Sequence, residues 1–316
     1  MNLMELQIIT SNWEYGAGKK GTSEGPQALL ESLRSRGAKK LLQLPRIDVE
    51  QTLEYEDLET IQYPKLKRAK PLIEHQERFA SAIASSRDNL PFQLLLTGDH
   101  SNAIGGLAGF CRKGDSNKKG IIWIDAHLDL HSPYTTPSGN IHGMSVNTAL
   151  DIDNKKSQVS EVDPDCEDLW NIIKSLKKNR SIPPRNIIFL GIRSFEKPEL
   201  KLVQNEEIRV IYAEEIHQKG IKWALQECTD YLKEVTDEWY VSFDVDSMDP
   251  TVSKGTGTPV KGGLSKKQAF MSLDYFTQHA KTQVLEITEI NPSLDTEKPM
   301  ANEVADLLID LFEQPK

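Results

Sequence analysis

Histidines and aspartates, residue types that often bind divalent metal ions, are concentrated in one part of this 316-residue sequence. Four of the seven histidines fall between residues 99 and 142, and the same stretch includes three aspartates close to them in sequence: His100, His127, His131, His142, Asp99, Asp125 and Asp129. The other histidines lie in segments predicted to be helical or connecting, and we expect them at the surface: His75, His217 and His279. The concentration predicts a metal site.

Two segments place ligand-type side chains directly after an apolar run. Residues 121–124, Ile-Ile-Trp-Ile, lead into Asp125, His127 and Asp129, and residues 239–243 lead into Asp244 and Asp246. In an extended chain, side chains at alternate positions point to the same face. Each segment can therefore direct its ligand-type side chains towards one site.

Two further apolar runs end in residues of the same kind. Residues 92–97 precede His100, and residues 282–287 precede Glu289. If these runs are parallel strands, all four groups follow the carboxyl ends of strands, where open α/β sheets form their ligand crevices. A single short D-x-H or D-x-D segment is more often an ordinary loop. Four such groups after apolar runs indicate one functional site.

The charge of such a site predicts its metal content. Four aspartates bring four negative charges and two histidines add neutral imidazoles: Asp125, Asp129, Asp244, Asp246, His100 and His127. Burying four unpaired carboxylates is prohibitively costly, so shifted pKa values or bound cations must neutralise them. Two divalent ions match the charge. A carboxylate-rich site without thiolates suits Mn²⁺, with Co²⁺ or Ni²⁺ as alternatives.

Apolar, β-branched runs alternate with segments of helical period, which predicts a mainly parallel sheet covered by helices on both faces. The predicted strands are residues 6–10, 41–44, 92–97, 121–125, 186–191, 210–212, 239–243 and 282–287. Helices are predicted at residues 71–86 and from 25 to about 37. Because no linker divides the chain, we expect one domain over residues 1–316, with an exposed polar insertion at about 151–184.

Composition argues against several classes of protein. Lys and Arg total 38 against 47 Asp and Glu, and the resulting net charge of −9 argues against a nucleic-acid partner. No apolar run approaches the roughly 20 residues of a membrane span, and we read no secretory signal at the N-terminus. The three cysteines form no CxxC pair. We therefore expect a cytoplasmic protein without a membrane partner.

Taken together, the motifs resemble those of the arginase family of ureohydrolases over nearly the whole chain. They are Glu-Gly-Pro at 24–26, Thr-Gly-Asp-His-Ser at 97–101, Asp-Ala-His-Leu-Asp at 125–129, Gly-Asn-Ile-His-Gly at 139–143, Ser-Phe-Asp-Val-Asp at 242–246, Asp-Pro at 249–250, Gly-Thr-Gly-Thr-Pro at 255–259 and Glu-Ile-Asn-Pro at 289–292. The resemblance implies a three-layer α/β/α fold, with a mostly parallel eight-stranded sheet and two Mn²⁺ ions at its edge.

The resemblance also implies the ligands of each metal ion. One ion would be bound by His100, Asp125, Asp129 and Asp244, and the other by Asp125, His127, Asp244 and Asp246. Asp125 and Asp244 would bridge the two ions.

The implied reaction is hydrolysis of L-arginine to L-ornithine and urea, by attack of a metal-bridging hydroxide on the guanidinium carbon. Asp129 would orient the hydroxide, and Glu289 would pair with the guanidinium nitrogens. His142 would give a proton to the leaving amine.

The loop at residues 129–140 resembles the family's loop for the amino-acid end of the substrate, and implies contacts from Thr136, Ser138 and Asn140. Two residues depart from the family pattern. His131 stands where the family usually has an Asn that contacts the α-carboxylate, and Glu196 where it usually has an Asp near the α-ammonium. A His can still donate to a carboxylate, and a Glu can still pair with an ammonium.

The sequence leaves other functions open. Another amidinohydrolase of the family, acting on agmatine, a guanidino acid or formiminoglutamate, would share the metals and differ in the pocket. A metal-binding regulatory protein would have lost catalysis, although Asp129, His142 and Glu289 argue against that. A single-zinc deacetylase of similar fold would need fewer ligands. The resemblance also implies a homo-oligomer, either a trimer or a hexamer.

Overall fold

Eight β-strands form one parallel sheet in the computed structural model, which describes residues 6–52, 62–87, 92–296 and 299–313. In chain order they are β1 (Leu6–Ser11), β2 (Arg46–Val49), β3 (Phe92–Thr97), β4 (Lys119–Ile124), β5 (Ile187–Ile192), β6 (Arg209–Tyr212), β7 (Glu238–Asp244) and β8 (Thr282–Thr288). Their order across the sheet is β2-β1-β3-β8-β7-β4-β5-β6. Every strand pair in the sheet is parallel.

Eleven α-helices connect and cover the strands within the described residues. They are α1 (Gly25–Ser35), α2 (Lys39–Leu42), α3 (Ala69–Ser86), α4 (Asn102–Cys111), α5 (Ser145–Leu150), α6 (Pro164–Ser175), α7 (Lys197–Asn205), α8 (Ala213–Lys219), α9 (Ile221–Leu232), α10 (Lys266–Thr277) and α11 (Met300–Phe312). None of the helices in this part of the chain is long and apolar enough to cross a membrane.

The helices pack on both faces of the sheet, which gives the predicted three layers. Alternate strand residues face opposite sides: Ile122 and Ile124 pack in one core cluster, and Ile121 and Trp123 in another. Helices α1, α2, α8, α9, α10 and α11 contribute to the first cluster, whereas α3, α4, α5 and α7 contribute to the second. Because both faces are covered, most strands are continuous apolar runs that are readily found in the sequence.

Seven of the predicted strands overlap observed strands, but the strand predicted at residues 41–44 is wrong. Leu41 belongs to the short helix α2, where it is fully buried, and the strand β2 begins only at Arg46. Among the described strands, this one lies at the edge of the sheet and pairs with β1 alone. Two of its four side chains are exposed, so it has no apolar run.

The segment at residues 151–184 is less exposed than predicted. It contains α6, whose Cys166, Trp170 and Ile173 are buried. These side chains join a third core cluster with Leu72 of α3. Several charged residues of the segment are exposed, among them Lys155, Lys156 and Asp165, whereas Lys174 and Lys177 are buried.

The predicted surface position of His75 is also wrong. Its side chain is fully buried, and Nε2 lies 2.7 Å from Oγ of Ser11. Its ring packs beside Trp13, with ring centroids 5.3 Å apart. His217 is exposed as predicted, and His279 is partly buried against Trp239. Helical period places His75 on the inner side of α3, because it lies three residues after Leu72.

Candidate active site

The candidate site lies where five neighbouring strands end. These strands, β3, β8, β7, β4 and β5, are adjacent in the sheet, and their carboxyl ends meet at the same edge. The residues that follow them include His100, Glu289, Asp246, Asp125 and Glu196, in that strand order. The fold therefore brings together groups that are widely separated in the chain.

His100 faces three carboxylates through one ring nitrogen. Its Nδ1 lies 3.1 Å from Oδ2 of Asp125, 3.2 Å from Oδ2 of Asp129 and 3.1 Å from Oδ2 of Asp244. All four side chains are nearly excluded from solvent. This arrangement contains the four residues that the sequence assigned to the first metal.

A second group forms around His127. Its Nδ1 lies 3.4 Å from Oδ1 of Asp125 and 3.1 Å from Oδ2 of Asp246. Asp125 therefore faces His100 with one oxygen and His127 with the other, which is the geometry expected of a bridging carboxylate. Asp244 contacts His100 through Oδ2, while its Oδ1 accepts a hydrogen bond of 2.7 Å from the backbone N–H of Asp246.

These residues fit a pair of divalent cations. Nδ1 of His100 and Oδ2 of Asp125 are buried and have no hydrogen-bond partner, although they lie 3.1 Å apart. Burial and the charges of neighbouring carboxylates raise the pKa of Asp244 well above its ordinary value, and also raise the pKa of Asp246. Bound cations would offset the free-energy cost of burying these carboxylates in their charged form, and would use the unpaired atoms as ligands.

Backbone strain is present at two residues of the site. Asp129 has φ of 49° and Glu289 has φ of 65°, so both adopt the left-handed region that non-glycine residues rarely occupy. Strain of this kind persists where the surrounding structure imposes it, and it is often found at functional sites. Glu289 directly follows β8, and Asp129 lies five residues after the end of β4.

His142 and Glu289 form a pair beside the carboxylate groups. Nδ1 of His142 lies 3.3 Å from Oε1 of Glu289, which also accepts a 2.9 Å hydrogen bond from the backbone N–H of His100. Burial alone lowers the pKa of His142, but the hydrogen bond and charge of Glu289 outweigh it and raise the pKa to about 9. Among the described residues, Oε2 of Glu289 has no hydrogen-bond donor.

A cavity of about 210 Å³ opens over these groups. Its deep part is lined by metal-ligand candidates and by His142, and its outer part by polar side chains of the loops after β4, β5 and β7. The lining residues are His100, His127, Asp129, His131, Thr136, Pro137, Ser138, Asn140, His142, Gly143, Ser194, Glu196, Glu199, Asp244, Asp246 and Thr258. The volume is enough for a small, extended polar molecule.

One side of the outer pocket carries a histidine between two glutamates. Nε2 of His131 lies 3.0 Å from Oε2 of Glu196 and 3.5 Å from Oε2 of Glu199. The hydrogen bond from His131 lowers the pKa of Glu196 to about 2, whereas burial raises the pKa of Glu199 to about 8. The outer pocket therefore carries a negative charge on Glu196, in addition to the carboxylates of the metal-ligand candidates.

The three predicted contacts on the loop at residues 129–140 also line the pocket. Thr136 is buried, and its Oγ1 accepts a 2.9 Å hydrogen bond from the backbone N–H of Gly139. Ser138 is exposed, and its Oγ accepts a 3.1 Å hydrogen bond from the backbone N–H of Asn140. These bonds hold the loop in a tight turn with its polar side chains at the pocket mouth.

Three pocket residues with polar side chains were not predicted from the sequence. Ser194 and Glu199 follow β5, and Thr258 donates a 2.9 Å hydrogen bond to Oδ2 of Asp246. Thr258 lies in the Gly-Thr-Gly-Thr-Pro motif, which was noted without a role for this residue. Glu199 could have been found from the sequence, because it lies three residues after Glu196 and the two form a capping box at the start of α7.

A three-layer α/β/α fold with two histidine–carboxylate groups at the carboxyl ends of its central strands is typical of metal-dependent hydrolases. More particularly, the chain belongs to the arginase family, whose model matches residues 5–313.

Individual relatives agree with this assignment. The arginase of Bacillus subtilis (strain 168) is 30% identical, and the match covers 97% of both chains. The native structure of the arginase from Bacillus caldovelox superposes with a TM-score of 0.85 at 28% identity and covers 98% of each chain. The Entamoeba histolytica arginase in complex with L-ornithine has a TM-score of 0.85 at 25% identity, and covers 99% of this chain and 100% of its own.

Proposed function

We propose that this protein hydrolyses L-arginine to L-ornithine and urea. One observation carries the proposal: residues of both histidine–carboxylate groups line one pocket together with His142, whose ring contacts the buried Glu289. The relatives named above are arginases, and one of them was crystallised with L-ornithine. A cavity of about 210 Å³ has room for a molecule of that size.

The proposed cofactor is a pair of Mn²⁺ ions, with Co²⁺ or Ni²⁺ as alternatives. The first group would hold one ion with His100, Asp129 and Asp244, and the second would hold the other with His127 and Asp246. Asp125 lies between the groups and would serve both, and Asp244 is proposed as the second bridging ligand. When bound, such ions lower the pKa of water and so supply hydroxide at neutral pH.

The residues around the metals bind and orient the reactants. Asp129 accepts a hydrogen bond from the attacking water and directs its oxygen towards the guanidinium carbon. Glu289 presents its free Oε2 to the guanidinium nitrogens, and this contact compensates the positive charge of the substrate. His142 carries a proton on its ring and delivers it to the leaving amine, because Glu289 holds that ring in place through Nδ1.

The outer pocket binds the amino-acid end of the substrate. Thr136, Ser138 and Asn140 offer polar side chains on one side. On the other side, substrate would replace the contact between Nε2 of His131 and Glu196, so that His131 donates to a carboxylate and Glu196 pairs with an ammonium. An α-amino acid with a guanidinium four bonds away from Cα fits both ends of this charge pattern.

Urea release from a panel of guanidino compounds tests the proposal directly. The purified protein is loaded with Mn²⁺ or Co²⁺ and assayed for urea release with L-arginine, agmatine and a guanidino acid, and for formamide release with formiminoglutamate, which is not a guanidino compound. We expect the highest kcat/KM for L-arginine. The Asp246→Asn variant is the matched control and should be inactive. Faster turnover of agmatine would overturn the choice of arginine, whereas absence of any product from a metal-loaded protein would favour a regulatory role.

Three further properties belong to the same proposal. We propose that the protein works in the cytoplasm as a homo-oligomer, either a trimer or a hexamer, as the family resemblance implies. Its partner is a small guanidino molecule, and its net charge of −9 argues against nucleic acid.

A further inference from the structure

A buried row of residues crosses the sheet beneath the first histidine–carboxylate group. Trp123 on β4 is aligned with Ser242 on β7, and Ser242 is aligned with Glu286 on β8. Because the three residues are register partners on neighbouring strands, their side chains point to the same face of the sheet. All three are fully buried, and none of them has a role in the chemistry described above.

His100 rests on this row. Its ring stacks on Trp123, with ring centroids 4.1 Å apart and planes inclined by only 4°. Its Nε2 lies 2.8 Å from Oγ of Ser242, on the opposite side of the ring from the nitrogen that faces the carboxylates. The ring is therefore fixed on one face and at one edge.

Glu286 determines the direction of the hydrogen bond between Ser242 and His100. Its Oε2 accepts hydrogen bonds from Oγ of Ser242 at 3.0 Å and from the hydroxyl of Tyr240 at 2.8 Å. Its Oε1 accepts a further bond of 3.0 Å from Oγ1 of Thr97. Ser242 has a single hydroxyl hydrogen, which it gives to Glu286, so its oxygen accepts the N–H of His100 at Nε2.

This direction leaves a lone pair on Nδ1, the nitrogen that faces Asp125, Asp129 and Asp244. A metal-binding histidine commonly donates its other N–H to a partner that fixes its tautomer and orientation. Here the partner is a serine hydroxyl that is itself held by a buried carboxylate.

The packing leaves space for this network. A Cβ at Gly106 of α4 would lie 2.2 Å from the hydroxyl of Tyr240. The absence of a side chain at Gly106 therefore allows Tyr240 to reach Glu286 while α4, which follows His100, packs closely against the sheet.

We infer that Glu286 is a positioning residue: acting through Ser242, it fixes the tautomer and orientation of His100 and thereby strengthens binding of one metal ion in preference to the other. The inference rests on the metal site of the proposed function. It concerns only the group around His100, since His127 has no contact with this row among the described residues.

Metal titration of three variants tests the inference. Metal-free protein is titrated with Mn²⁺ by isothermal calorimetry, as wild type and as Ser242→Ala, Glu286→Gln and Ser272→Ala. Ser242→Ala should weaken one of the two binding equivalents by about 10- to 100-fold and leave the other within about threefold. Glu286→Gln should weaken the same equivalent. The Ser272→Ala control removes a buried hydroxyl of α10, bonded to the carbonyl of Gln268, and should change neither.

The affected equivalent is assigned with a second substitution. In a His127→Asn background, which lacks the second group's histidine, Ser242→Ala should still weaken the ion that remains. Equal weakening of both equivalents, or unchanged affinity in Ser242→Ala, would overturn the inference. Circular dichroism and the thermal midpoint of the metal-free variants check that each folds. Wild-type protein that binds two Mn²⁺ but releases no urea would contradict the proposed function alone.

Discussion

Nδ1 of His142 lies 3.3 Å from Oε1 of Glu289, although 147 positions separate the two residues in the chain. The proposed proton donor and the proposed guanidinium partner are thus a single unit. Because His100 also donates its backbone N–H to the same oxygen, Oε2 is the acceptor proposed to pair with the guanidinium. The two residues should nevertheless contribute to different kinetic constants.

His142→Asn should lower kcat by about 10²- to 10⁴-fold, because it removes the proton donor to the leaving amine. We expect KM to change by less than about fivefold, since Glu289 still binds the guanidinium. Steady-state urea release measures both constants. His217→Asn, which alters an exposed histidine, is the matched control. A large rise in KM with unchanged kcat would assign His142 to substrate binding.

Metal loading should stabilise the folded protein. At free Mn²⁺ about 100-fold above its dissociation constant, each site adds about 2.7 kcal/mol to the free energy of unfolding. Asp125→Asn should abolish most of this gain, because Asp125 faces both histidines. Urea-induced unfolding with and without Mn²⁺ measures the effect. Asp165→Asn, an exposed control, should keep the full gain. Equal stabilisation of Asp125→Asn and wild type would contradict the proposed bridging role.

The outer pocket should distinguish substrates by their carboxylate. His131→Leu removes the donor proposed for the α-carboxylate, so it should reduce the preference for L-arginine over agmatine by roughly tenfold, or about 1.4 kcal/mol. Agmatine has an ammonium but no carboxylate. Glu196→Gln is therefore the matched control, and it should lower kcat/KM for both substrates to a similar extent. An equal loss for both substrates in His131→Leu would show that His131 does not select the carboxylate.

His75 should make the protein less stable in mild acid. Burial, together with the charge of Arg78, lowers the pKa of His75 to about 3, so the folded state keeps the ring neutral. In the unfolded chain, His75 binds a proton below about pH 6.5. The contribution of His75 to stability is therefore present at neutral pH and is lost as the pH falls. Between pH 7 and 5, wild type should lose about 2 kcal/mol more than His75→Gln.

Urea-induced unfolding at several pH values measures this difference. Changes that come from the carboxylates of the site occur in both proteins and cancel. Parallel pH profiles of the two proteins would mean that His75 is not the group responsible.

The sequence predicted the site better than its surroundings, for a physical reason. Strands buried on both faces are continuous apolar runs, so the positions of Asp125, Asp244 and Glu289 after such runs were readable. The edge strand β2 has mixed side chains, and a neighbouring leucine-containing segment was predicted as a strand instead. Local pattern could not reveal it, because its pairing with β1 depends on distant residues.

Residues whose role depends on tertiary contacts were also missed. Helical period already indicates that His75 lies on the inner side of α3, but its contact with Trp13 depends on the fold. Glu286 and Ser242 gained significance from their alignment on adjacent strands, which a single sequence does not specify. The order of the strands was likewise not predicted, and it decides which loops meet.

The order of the strands also determines when the chain can complete its fold. β7 and β8 are synthesised last among the strands, yet they stand between β3 and β4 in the middle of the sheet. Until both have been synthesised, the inner edges of β3 and β4 lack their native partner strands. The native sheet can therefore be completed only after residue 288 has been translated.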